Sequence, residues 1–99
     1  MPSAGHSAEE AQSIAITALG FIAGDTELLP RFLAITGIEA ASIRQAAREP
    51  GFLAGVLDFL LAHEPSLMRF AAETGTEPAL VAAARRRLPD GGDHFEGST

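Results

Sequence analysis

The 99-residue chain contains no cysteine, tryptophan, tyrosine, lysine or asparagine. Without cysteine there is no disulfide framework, no thiol nucleophile and no thiolate metal or iron–sulfur site. The three histidines, His6, His63 and His94, are too few and too scattered for a histidine-rich metal centre. No cofactor is implied. Only two valines occur, Val56 and Val81, so strand formers are scarce. Long apolar runs are also missing. The two longest, 14–23 and 51–62, fall short of the ~20 residues that a membrane span requires, and Asp58 interrupts the second. The first thirteen residues carry no arginine and include Glu9 and Glu10, unlike a signal or transit peptide. A cytoplasmic chain with no membrane contact is the expectation.

Alanine and leucine supply 19 and 11 residues, a helix-forming composition. Seven arginines against thirteen acids give a net charge of −6, which argues against a nonspecific nucleic-acid binder. That balance is unevenly spread. Residues 14–89 hold all seven arginines and eight acids, a net of −1, whereas 90–99 hold three acids and no arginine.

Glycine and proline divide the chain. Ser7 and Glu10 form a capping box that opens a first helix, which Gly24 stops. Asp25 or Thr26 caps a second helix ending at Thr36, with Gly37 as a left-handed C-cap. A third covers about 40–48. Pro50 sits at the start of a fourth, which ends near Ala62. Pro65 opens a fifth, closed by Gly75, and Pro78 opens a sixth, ended by Pro89. The expected organisation is a loose start over 1–6, one helical domain over 7–89 and a disordered acidic tail over 90–99.

The most informative pattern is a repeat of period 38. Residues 29–48 align with 67–86 at ten identical positions of twenty, including Arg31/Arg69, Phe32/Phe70, Thr36/Thr74, Gly37/Gly75 and Glu39/Glu77. Farther back, Leu19 meets Leu57 and Phe21 meets Phe59. Two copies of a three-helix unit, about 14–51 and 52–89, would close on each other about a pseudo-twofold axis. Each copy contains a helix–turn–helix corner, with a phenylalanine anchor, a glycine stop and a glutamate where the next helix dipole favours negative charge. The fold class is therefore an all-α bundle of about six short helices.

Candidate chemistry is sparse. The fourth helix is apolar around more than half its girth, so it is central in the bundle or buried in an oligomer interface. Phe52, Val56, Phe59 and Asp58 are its candidate interaction surface. Asp58 is also the one carboxylate in an apolar context, either a site or an arginine partner facing solvent. Gly20 and Gly55 suit close helix contact. His63 reads as a cap near a helix C-terminus. Arg85, Arg86 and Arg87 are a candidate anion-binding run, although dipole compensation also explains them. The 90–99 segment can screen them. Ser42, Arg44, Gln45 and Arg48 are candidate nucleic-acid contacts on the first corner. Ser13, Ser42 and Ser66 have no histidine and acid placed with them by spacing, and no nucleotide-binding or nucleophile-elbow motif occurs.

The strings FIAGDTELLPRFLAITG over 21–37 and PGFLAGVLDFLLAHEP over 50–65, behind an alanine-rich helix, resemble a family of small bacterial proteins known only as a domain of unknown function. The resemblance spans about 10–88 and implies an all-helical protein with no assigned activity and no family site residues. The broad apolar surface of the fourth helix and the absence of paired chemical groups favour a non-enzymatic protein-interaction module, with an unknown protein or a second copy of the chain as partner. The alternatives are a nucleic-acid-associated regulator using the corners and a small-molecule binder or enzyme centred on Asp58.

Overall fold

Alanines at 11, 15 and 18, followed by Ile22, fall on one helical stripe, and all four are buried at 1% exposure or less. They belong to α1, Ser3–Ala23, in a computed structural model that describes residues 3–89 and the side chains from Glu9 onward. The helix is already running at Ser7, ahead of the expected capping box, in keeping with the strong helix formers Ala4, Ala8, Glu9 and Glu10. The proposed tail over 90–99 and the side chain of His6 lie outside the described residues.

The remaining elements are α2 (Leu28–Thr36), a 3₁₀ turn (Ala40–Ser42), α3 (Ile43–Ala46), α4 (Phe52–Leu61), α5 (Glu64–Thr74) and α6 (Pro78–Arg87). No strand occurs among the described residues, so the fold is an all-α bundle. Its middle is α1, α4 and α6, each packed on the other two. The small residues of α1 let it lie against Val81 and Ala84 of α6. In α4, Phe52, Ala54, Val56, Leu57, Phe59 and Leu60 are all buried, so this helix is central within its own chain.

The flanking helices are pinned by phenylalanines. Phe32 of α2 meets Phe52 and Phe59 edge-on, with centroids 6.0 and 5.4 Å away. Phe70 of α5 meets Phe21 of α1 at 5.4 Å. Such edge-to-face pairs add ~0.5–1.5 kcal/mol to the burial they accompany.

Both corners close alike. Gly37 and Gly75 have φ of 76° and 74°, a left-handed conformation that costs a residue with a Cβ ~1–2 kcal/mol. Their N–H groups donate to the carbonyls of Leu33 and Ala71. Thr36 and Thr74 hydroxyls each donate to the carbonyl four residues back, Phe32 and Phe70, at 2.8 Å. Beyond the corners the two segments differ. Pro78 begins a ten-residue helix whose Val81 is fully buried. The segment after Gly37 instead forms the 3₁₀ turn and the four-residue α3, with no buried residue in either, so the helix expected over 40–48 is broken. The fourth helix also starts later than Pro50 suggests. Gly51, at φ 92°, turns the chain first, and Phe52 is the first helical residue.

Candidate functional site

The clearest opening lies between α2 and α4. Arg31, Ile35 and Thr36 on one side face Gly55, Asp58, Phe59 and Ala62 on the other, and His63 completes the lining of a groove of about 540 Å³. That volume is within the ~300–1,000 Å³ of ordinary ligand clefts. Ile35 is 69% exposed, a large aliphatic side chain left in water beside the edge of Phe59. Gly55 leaves the groove open, because a Cβ there would meet nothing within 4 Å. Gly20 is equally open. The sequence expectation that these two glycines permit close helix contact is therefore corrected. They leave space at the surface.

The polar side of the groove is set by His63. Its backbone is extended and it stands at the N-cap of α5, not as a side-chain cap on α4. The ring Nδ1 lies 2.5 Å from the Ser66 hydroxyl, and Nε2 lies 3.5 Å from Arg31 Nη1. The Ser66–His63 pair escaped the sequence reading, although its i, i+3 spacing across a helix start was the available signal. A guanidinium can only donate, so the contact from Arg31 needs the Nε2 lone pair of His63. A second cleft, lined by Arg31, Arg69, His63 and Ser66 among others, adjoins the groove at the start of α5.

A third opening makes the groove's chemistry plain. Gly20, Phe21, Gly24, Asp25, Arg69 and Glu73 line a cleft of about 570 Å³ between α1 and α5. Each lies 38 residues from a groove residue: Gly20 from Asp58, Phe21 from Phe59, Gly24 from Ala62, Asp25 from His63, Arg69 from Arg31 and Glu73 from Ile35. Here the arginine is satisfied. Arg69 pairs with the Asp25 carboxylate, approaches Glu73 at 3.8 Å and stands 5.3 Å from the centre of the Phe21 ring. Asp25 also accepts from the N–H groups of Leu28 and Glu27, at 2.9 and 2.8 Å, and so caps α2. Those backbone N–H groups, and then the Arg69 guanidinium, hold its carboxyl below the ordinary carboxylate value. Among the described residues no carboxylate pairs with Arg31.

The other sequence candidates fall as follows. Phe52 and Val56 belong to the chain's own core, so they present no exposed face to a partner. Phe59 is 8% exposed and lends only an edge to the groove. Asp58 is exposed, on the rim of the groove, and accepts from Arg85 Nε at 2.7 Å. Of the two readings open for it, Asp58 is the solvent-facing partner of an arginine. Arg87 donates to the Ala83 carbonyl near the end of α6, as dipole compensation expects, and Arg86 is exposed. Ser42, Arg44, Gln45 and Arg48 are all exposed, but they lie on and after a 3₁₀ turn and a four-residue helix, a short platform for groove reading. Among the described residues no three His, Asp or Glu side chains gather as a metal site. Among the described residues no helix is long and apolar enough to cross a membrane.

Fold and site together define a small helical bundle with one acid-filled arginine cleft and one open, apolar arginine groove. The family model for "Protein of unknown function (DUF3572)" matches residues 8–91, and the chain belongs to this family. None of the curated proteins and none of the solved structures compared with the chain matches it.

Proposed function

We propose that this protein is a non-enzymatic helical interaction module, cytoplasmic and bacterial, whose docking face is the groove between α2 and α4. The observation that carries this reading is Ile35, 69% exposed beside Phe59, Gly55 and Ala62, with Arg31 at the same opening. An aliphatic anchor next to an arginine with no carboxylate partner among the described residues suits a protein segment that brings an apolar side chain and an acid. The partner is another protein or a second copy of the chain.

We further infer that the two halves are copies of one three-helix unit related by a pseudo-twofold axis. The support is reciprocal. Phe21 of the first half meets Phe70 of the second, and their counterparts at the 38-residue offset, Phe59 and Phe32, also meet, both pairs at 5.4 Å. The pairs Asp25–Arg69 and His63–Arg31 are related in the same way.

The test is capture from an extract of the native cell, with the wild type compared to Ile35→Asp and Leu80→Asp. Leu80 is 51% exposed and lies on α6, away from the groove. A partner held by the wild type and by Leu80→Asp but lost by Ile35→Asp supports the reading. A partner held equally by all three contradicts it. Light scattering with refractive-index detection, needed because Trp and Tyr are absent, decides between self-association and a foreign partner.

A further inference from the structure

We propose that the occupant of the groove, in the absence of a partner, is this chain's own segment 90–99, with Phe95 against Phe59 and Ala62 and an adjacent carboxylate on Arg31. The proposal rests on the groove being a docking face, and it adds a built-in competitor for that face.

Four observations converge on this segment. At the 38-residue offset His63 and Ile35 stand where Asp25 and Glu73 flank Arg69, and the one carboxylate on the groove rim, Asp58, is held by Arg85. Arg31 therefore has no carboxylate partner among the described residues, and beside it lies an apolar floor. The sequence D-H-F-E over 93–96 supplies an aromatic side chain flanked by acids, within a stretch that holds three acids and no arginine. Of the six phenylalanines, Phe21, Phe32, Phe52, Phe59 and Phe70 already engage one another, and Phe95 is the sixth.

Reach is the fourth. Arg85, near the end of α6, touches Asp58 on the groove rim. Pro89 follows four residues later. Six residues from Pro89 to Phe95 span up to ~20 Å when extended, enough to turn back onto the groove.

The competing location for an acidic segment is Arg85–Arg87. Arg85 already holds Asp58, and Arg87 is turned onto the Ala83 carbonyl. The cleft beside Arg87 is smaller, about 180 Å³.

The absence of cysteine makes the test direct. A nitroxide on Ser98→Cys in the full chain broadens nearby amide signals in the ¹⁵N spectrum. The proposal expects the strongest intensity loss at Ile35, Gly55 and Ala62. It expects recovery of those signals in Ser98→Cys/Phe95→Ala, and recovery with salt, which screens the Arg31 contact. Loss confined to Arg86, Arg87 and their chain neighbours, or spread evenly over the surface, overturns it. Mixing spin-labelled unenriched chain with unlabelled ¹⁵N chain reads the second-copy alternative. Groove broadening in that mixture places the segment of another molecule there and also overturns same-chain seating. Failure here leaves the capture result of Ile35→Asp untouched, so the two readings fail separately.

Discussion

The cleft around Arg69 and the groove around Arg31 have nearly equal volumes, about 570 and 540 Å³, and each has a phenylalanine wall that packs on the opposite half. In the first, Asp25 and Glu73 satisfy the arginine from within the chain. In the second, His63 and Ile35 take those places, and the arginine faces an imidazole ring and an exposed aliphatic side chain. Similar scaffolds thus carry opposite rims. The difference teaches that the Arg69 side works for stability, through the cap on α2 and the pair across α1 and α5. On the Arg31 side the arginine has no carboxylate partner among the described residues.

The comparison breaks most visibly if the shared scaffold is not shared. Phe32→Ala and Phe70→Ala each remove a fully enclosed ring and should each cost ~3–5 kcal/mol in denaturant unfolding followed by circular dichroism. A large loss in one and a negligible loss in the other would mean that the two halves are not held alike. The glycine stops come next. Gly37→Ala and Gly75→Ala should each cost ~1–2 kcal/mol, because φ near 75° is required although space for a Cβ is free.

The third effect has the opposite sign. Gly55→Ala should stabilise by ~0.5–1 kcal/mol, since the position is interior to α4 and a Cβ meets nothing. A more stable variant with weaker partner capture would show that this glycine serves the groove and not the fold. A loss of stability would mean that the groove floor is tighter than the backbone implies.

The smallest effect separates the rims by pH. Asp25 has a folded-state pKa below its ordinary 3.8, through Leu28 and Glu27 N–H donors and then Arg69. A depressed carboxylate pKa contributes stability that is present above the ordinary value and is lost as pH falls through the folded value. Asp25→Ala should therefore lower the melting temperature at neutral pH and flatten its decline in acid below about pH 4, read by thermal scans across pH. An unchanged acid decline in Asp25→Ala would remove the capping role of this carboxylate.

Much of the architecture was readable before the structure, because local chemistry decides it. Gly37, Gly75 and Pro78 mark helix boundaries through backbone constraints that need no tertiary context. The central place of α4 follows from its apolar girth. The break over 40–46 was not readable, since Ala40, Ala41, Gln45 and Ala46 have good helix propensity and only the lack of a buried face there undoes it. The candidate site was less legible. Asp25 and Arg69 are 44 residues apart and Arg31 and His63 are 32 apart, so neither pair shows in any local spacing. The sequence match at an offset of 38 held the signal in another form: His63 and Ile35 fall where Asp25 and Glu73 stand at that offset. Phe52 and Val56 were misplaced on a surface because an apolar helix looks the same in sequence whether its own chain or a partner covers it.

The groove as a docking face is tested most directly by partner capture with Ile35→Asp beside Leu80→Asp, both judged against wild type for equal helicity. The expected result is a protein retained by wild type and Leu80→Asp and absent with Ile35→Asp. Equal retention by Ile35→Asp would contradict the groove as the docking face.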